Sequence, residues 1–238
     1  RIQYVLSPTH VPFGFWRSVD HSQHGFFTES FVDELAWAAG KDPFEFRREL
    51  LSNQPRLKAV LELAAEKSDW DNNMLGSNRG RGIALQHSFG SIVAQVIDVT
   101  VESGIVSIDR IVCAVDTGFA INPDGVRAQM ESGIVYGLTA ALYGEISISN
   151  GAVSQSNFHD YEMVRIDQVP DIETHVINGG GPIGGAGEPG TPAVAPALAN
   201  AIFSATGTRI RQLPIKNYDL TFRIEERAFK RKAPLPLG

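Results

Sequence analysis

Residues 91–115 read SIVAQVIDVTVESGIVSIDRIVCAV. The first eleven form a long apolar run rich in β-branched residues, which predicts a strand. Glu102, Ser103 and Gly104 supply turn chemistry, and residues 105–115 predict a second strand that pairs back as a hairpin. A shorter β-like stretch, residues 83–87, precedes it. A second hairpin is predicted from residues 145–148 and 153–155, with Asn150-Gly151 as a type I′ turn signal. Residues 171–177 predict a further strand that leads into a glycine-rich stretch.

Helical patterns surround these strands. In residues 24–39, Phe27, Phe31, Leu35 and Ala38 recur at helical spacing, which predicts one buried face with Glu29, Asp33 and Glu34 largely off it. Gly40 is a natural stop. Asp42 caps a second helix with Pro43 at its first position, running to about Leu51. Residues 56–67 predict a third, with Leu57, Val60, Leu61 and Ala64 inward. Asn122-Pro123 signals the start of a fourth, which continues through residues 126–143. Residues 191–206 predict an Ala-rich fifth, closed by Gly207, and residues 218–229 a short final element. Hairpins mixed with helices predict an α+β fold with mixed or antiparallel strands, not an alternating parallel sheet. The polar, turn-rich residues 69–80 divide a helical segment with a pocket loop, residues 1–70, from an α+β segment, residues 71–238. The two also read as one continuous domain.

Residues 179–190, GGGPIGGAGEPG, carry seven glycines and one ionisable side chain, Glu188. Such a run is costly because glycine loses the most backbone freedom on folding. Three readings are open: a tight loop with a surface Glu, a phosphate cradle at a helix N-terminus, and a general base held at a cofactor with Pro189 fixing its backbone. The dinucleotide fingerprint lacks its proper context here, and no Gly-Lys-Ser/Thr follows.

The 238 residues have a net charge of −6, with 43% apolar and 20% charged residues. These values suit an ordinary globular chain and argue against a nucleic-acid surface. The cationic run at residues 227–232 reads as a solvated end. No run approaches the roughly 18 apolar residues of a membrane span, and the start does not read as a signal peptide. Cys113 is the only cysteine. That excludes an intrachain disulfide and an iron–sulfur cluster held by this chain alone. Zinc spacing is also missing, and Cys113 reads as a small buried hydrophobe in a strand.

Residues 11–23, VPFGFWRSVDHSQ, combine three aromatics with Arg17. They read as a pocket lining or as a packed loop with an Arg salt bridge. Gln129 lies one turn into the fourth helix among small residues, which suggests close packing against backbone or cofactor. The plainer reading has it facing water. Phe89, between strands, is a pocket candidate. His159 and Asp160 are neighbours in an extended segment and point to opposite faces, so they read as a structural loop.

Six ordered blocks resemble the molybdenum-binding large subunit of the xanthine oxidase family, in particular its isoquinoline 1-oxidoreductase and aldehyde dehydrogenase branch. They are VPFGFWRSVDH (11–21), FVDELAWAAGKDPFEFR (31–47), RGRGIALQHSFGSIVAQ (79–95), CAVDTGFAINPDGVRAQMESGIVYGLTAALYG (113–144), SNFHDY (156–161) and GGAGEPGTP (184–192). The resemblance implies a C-terminal portion of a longer subunit, whether separately encoded, cleaved or truncated. It implies oxidation of an N-heterocycle or an aldehyde at an sp² carbon with water-derived oxygen, Glu188 being the catalytic general base. It implies molybdenum bound as the molybdopterin cytosine dinucleotide, held by the pterin dithiolene and by no protein side chain. Gln129, Gly185, Ala186, Gly187, Arg17 and Trp16 would then contact the cofactor, and Phe15 and Phe89 the substrate. Implied partners are the remaining, N-terminal part of the subunit and a small 2Fe-2S subunit that carries electrons away, in a bacterial cytoplasm or periplasm. Two readings of other classes stand beside it: a scaffold or assembly chain that keeps the fold, and a nucleotide-phosphate-binding module.

Overall fold

The computed structural model describes residues 3, 5–8, 10–71 and 76–221. Its elements are α1 (Asp20–Ala38), α2 (Pro43–Leu50), α3 (Pro55–Lys67), β1 (Arg79–Ser88), β2 (Ser91–Glu102), β3 (Ile105–Asp116), α4 (Pro123–Leu142), β4 (Ile148–Ser149), β5 (Ala152–Val153), β6 (Asp171–Ile177) and α5 (Val194–Thr206). Parts of the extended stretch at residues 1–10 and of the turn-rich 69–80, and residues 222–229 of the final element at 218–229, lie outside the described residues.

The 91–115 hairpin is present and forms the middle of a four-stranded sheet of order β1-β2-β3-β6. The first three strands are antiparallel, and β6 joins β3 in parallel, so the sheet is mixed. Type I′ geometry explains both hairpin turns: Ser103 and Gly104 have φ of 50° and 82°, Phe89 and Gly90 of 52° and 77°. The second predicted hairpin shrinks to β4 and β5, two residues each, around Asn150-Gly151.

β2 is buried on both faces, which is why it reads as an unbroken apolar run. Val93, Ile97, Val99 and Val101 pack under α4 and α5 with Met130, Leu138, Leu198 and Ile202. Ile92, Ala94 and Val96 face Val60, Leu61 and Ala64 of α3. Cys113, on β3, is fully buried in the first of these layers. β1 is ten residues long, against the five predicted, because its start is the polar, glycine-bearing Arg79-Gly80-Arg81-Gly82. A Cβ at Gly82 would overlap the backbone of Ala197 and Ala201, so the bare backbone lets α5 lie directly on the strand.

The burial predicted for the first helix is reversed. Phe27 and Phe31 are 62% and 59% exposed and Leu35 also faces out, whereas Phe26, Glu29, Asp33 and Ala36 are buried. The carboxylates go inward because two arginines meet them. Arg47 of α2 donates to the Glu29 carboxylate at 2.8 Å, and Arg209 to Asp33 at 2.6 Å. Glu29 also accepts the Leu85 backbone N–H on the open edge of β1. No helix among the described residues is long and apolar enough to cross a membrane.

Candidate active site

The end of β1, the start of β2 and the ends of β3 and β6 meet at one end of the sheet, where Ser88 pairs with Ser91, Ile92 with Asp116, and Asp116 with Ile177. The glycine-rich loop leaves β6 there. Its first part is built round a buried charge. Asp116, 1% exposed, accepts the N–H groups of Gly118 (2.7 Å) and Gly179 (3.2 Å) and pairs with Arg56 of α3 at 2.9 Å. Further on, the Gly184 N–H donates to Thr117 O, the Gly185 N–H to Phe89 O at 2.8 Å, and the Ser91 hydroxyl to Gly185 O at 2.6 Å.

The glycines divide by what a side chain would meet. A Cβ at Gly179 would overlap the Asp116 carboxylate, at Gly181 the Arg56 guanidinium, and at Gly184 the Ser91 hydroxyl. Those three make room for the protein itself. At Gly187 a Cβ would meet only Gln129 Oε1, at an ordinary 3.7 Å, so internal packing does not require glycine beside Glu188. The N–H groups of Ala186, Gly187 and Glu188 have no acceptor among the described residues.

Glu188 is half-buried and held from a second loop. The Ser18 N–H donates to Glu188 Oε1 at 2.9 Å, and the Ser18 hydroxyl to the Glu188 carbonyl at 2.6 Å. The other carboxylate oxygen, Oε2, makes no hydrogen bond among the described residues. This grip is strained: Ser18 has φ of 72° and Val19 has φ 49°, ψ −129°, a region a β-branched residue rarely enters. Neither residue was singled out in the sequence beyond its place in the 11–23 stretch around Arg17.

Arg17 ties the second loop to the first and to α4. Its Nε donates to Gly187 O at 2.8 Å, with Nη2 on the same carbonyl, and Nη1 donates to Ser132 Oγ at 3.0 Å. Gln129 Oε1 lies 3.4 Å from Nη2, and the Gln129 side chain stays open to solvent. Arg17 has no ion-pair partner among the described residues, and its guanidinium lies over the Tyr136 ring, 5.6 Å from the centroid. Trp16 stacks on Tyr136 at 4.9 Å. Phe89 sits at the edge of the loop against His21, with ring centroids 5.0 Å apart. Phe15 stands 94% exposed.

The fifth helix does not begin at the carboxylate. Residues 188–191 form a turn closed by the Thr191 N–H on Glu188 O at 3.1 Å, and α5 starts only at Val194. Two side chains that sequence reading passed over anchor this turn: Gln95 donates to Gly190 O at 2.7 Å, and the Thr191 hydroxyl to Gly133 O at 3.1 Å. The segment holding His159 and Asp160 is a turn and not extended, so the two side chains do not point apart: His159 Nε2 lies 3.6 Å from the Asp160 carboxylate. Asp160 accepts the N–H groups of Asn157 and Ser156, and these bonds hold its carboxyl down at about 2. Among the described residues no three His, Cys, Asp or Glu side chains gather at one point.

Residues 24–170 match the family model of the molybdopterin cofactor-binding domain. The chain is 34% identical over 220 residues to the beta subunit of isoquinoline 1-oxidoreductase from Brevundimonas diminuta, covering 91% of this chain and 28% of that protein. It is 32% identical over 228 residues to a membrane-bound aldehyde dehydrogenase [pyrroloquinoline-quinone] of Gluconacetobacter polyoxogenes, covering 87% and 29%. It is 34% identical over 218 residues to a nicotinate dehydrogenase subunit of Pseudomonas putida, covering 84% and 18%. The chain thus spans less than a third of the length of these relatives. Among solved structures its fold is similar to the aldehyde oxidoreductase of Desulfovibrio desulfuricans, with a TM-score of 0.67 at 16% identity over 84% of this chain and 40% of that one.

Proposed function

The chain belongs to the molybdopterin cofactor-binding family, and from that premise we propose that it forms the proton-accepting wall of a molybdenum hydroxylase site, with Glu188 as general base. The observation that carries this reading is the Glu188 carboxylate itself, fixed through one oxygen by Ser18 and free at the other, beside a backbone that internal packing does not oblige to be glycine. When bound, the molybdenum–pterin group would supply the oxidising centre and take up the electrons.

Everything else asked of this chain is positioning and proton transfer. The unpaired Arg17 charge and the unused N–H groups at residues 186–188 suit an anionic, oxygen-rich cofactor, with Gln129 and Trp16 on its flank. A base must be ionised and within hydrogen-bond reach of the proton it removes, and such transfer contributes about 10²–10⁴-fold. Glu188 Oε2, the oxygen that Ser18 leaves without a hydrogen bond, is the atom that would accept that proton. Phe89 would then border the substrate, an N-heterocycle or an aldehyde oxidised at an sp² carbon. The cytosine dinucleotide form of the cofactor, the N-terminal remainder of the subunit and a 2Fe-2S partner subunit complete the proposal.

Metal analysis of the purified native complex tests this reading. We expect stoichiometric molybdenum, with cytidine monophosphate released on acid hydrolysis. A complex without molybdenum, even after sulfuration, would favour a scaffold role. A bound quinone in its place, the cofactor class in the name of the Gluconacetobacter relative, would overturn the molybdenum assignment.

A further inference from the structure

We propose that Gln95 is a positioning residue for Glu188, acting from the middle of the sheet through the peptide that closes the Glu188 turn. The inference rests on the reading of Glu188 as the base.

Gln95 is fully buried on β2, on the face it shares with Val93, Ile97 and Val99. Its register partner on β3 is Cys113, itself fully buried. A neutral amide in such surroundings is costly unless it is bonded. Gln95 Oε1 has no partner among the described residues, so the amide is not there to satisfy itself. Its Nε2 donates to Gly190 O at 2.7 Å, across 95 positions of chain, and the amide also meets the Cys113 thiol across the strand pair.

The recipient matters. The Gly190 carbonyl and the Thr191 N–H belong to one planar trans peptide and point in opposite directions. Fixing the carbonyl on Gln95 therefore aims the N–H, and the Thr191 N–H donates to Glu188 O at 3.1 Å. That same carbonyl oxygen receives the Ser18 hydroxyl at 2.6 Å. Gln95 thus closes a chain of contacts from the most buried strand to the backbone of the base. Gly190 packs bare against Met130 and Gly133 and has no side chain of its own to brace the peptide.

The test uses the intact complex carrying Gln95→Met, which keeps the length and apolar volume of the side chain and removes the donor. We expect unchanged molybdenum content and KM, and a kcat lower by about 10- to 100-fold, the scale of a small misplacement of a reacting group. Amide exchange should quicken at Thr191 and its neighbours and stay unchanged in the helices. The pH dependence of kcat/KM should move on its acid limb. Gln95→Asn, which keeps an amide that cannot reach Gly190, should behave alike. Wild-type kcat and exchange in both variants would overturn the proposal, as would failure of both to assemble, which would make Gln95 a folding residue. Glu188→Gln, measured alongside, separates the two readings. If it keeps activity, the base assignment fails; if it is inactive while Gln95→Met is normal, only the role of Gln95 fails.

Discussion

Glu188 is presented by its neighbours, not by the loop that contains it. Ser18 grips one carboxylate oxygen and Arg17 the preceding carbonyl, while Gln95 holds the turn that follows. The sharpest local sign of this is Val19, whose φ of 49° with ψ of −129° only glycine adopts freely. Val19→Gly should therefore raise the unfolding free energy by about 1 kcal/mol, strain of about 1–3 kcal/mol being offset by the entropy of glycine. Chemical denaturation would measure it, and a destabilised variant would show that the conformation costs nothing. At Cys113, burial pushes the thiol up to about 12, a rise that the Gln95 amide partly offsets. The folded pKa lies above the unfolded one, near 8.5, so the stabilisation from the buried neutral thiol is complete below about pH 8 to 9. It is lost as pH rises toward 12. A thiol reagent at pH 9 should leave native Cys113 untouched and modify it once denaturant unfolds the chain. Glu188 was legible as a candidate because it is the one ionisable residue of a glycine-rich run and Arg17 because it follows three aromatics, whereas Gln129 came only from the family resemblance. Ser18 was not legible, because its function lies in a backbone N–H that any residue but proline carries.

At the scale of elements, turn chemistry was the most readable part of the sequence. Ser103-Gly104 and Asn150-Gly151 announce positive φ, and Asp42-Pro43 and Asn122-Pro123 announce helix starts, since each residue type suits one local geometry. β1 was half hidden because Gly80 and Gly82 lower its strand character in order to receive α5. α1 misled for a different reason. Its apolar residues do repeat at helical spacing, but the stripe of Phe27, Phe31 and Leu35 faces outward, while Glu29 and Asp33 turn in to Arg47 and Arg209. A pattern of charges cannot show that its partners lie in another helix and in a loop some 176 residues on. The orientation is testable by two substitutions. Phe31→Ala should change stability by no more than about 0.5 kcal/mol. Arg47→Met strands the buried Glu29 carboxylate, Asp33 keeping Arg209, and should cost about 3–5 kcal/mol. The reverse order in a denaturation series would restore the orientation expected from the apolar stripe.

For the molecule as a whole, the mixed sheet gathers its four strands so that one end carries the site. The β1–β2 turn, the end of β3 and the exit of β6 hold the glycine-rich loop, and α4 and the 16–19 loop close over it. The α+β class was legible from the hairpins. The parallel pairing of β6 with β3 was not, because a short strand after a long connection carries no mark of its partner. The glycine run also had a mixed origin that composition could not reveal: part of it accommodates Asp116, Arg56 and Ser91, and part lies bare next to the carboxylate. The role proposed for that carboxylate is best tested by Glu188→Gln in the intact complex, with molybdenum content and turnover measured on the same sample. An unchanged molybdenum content with turnover reduced by about 10²–10⁴-fold is the predicted result. Turnover close to that of the unaltered enzyme would contradict the assignment of Glu188 as the base.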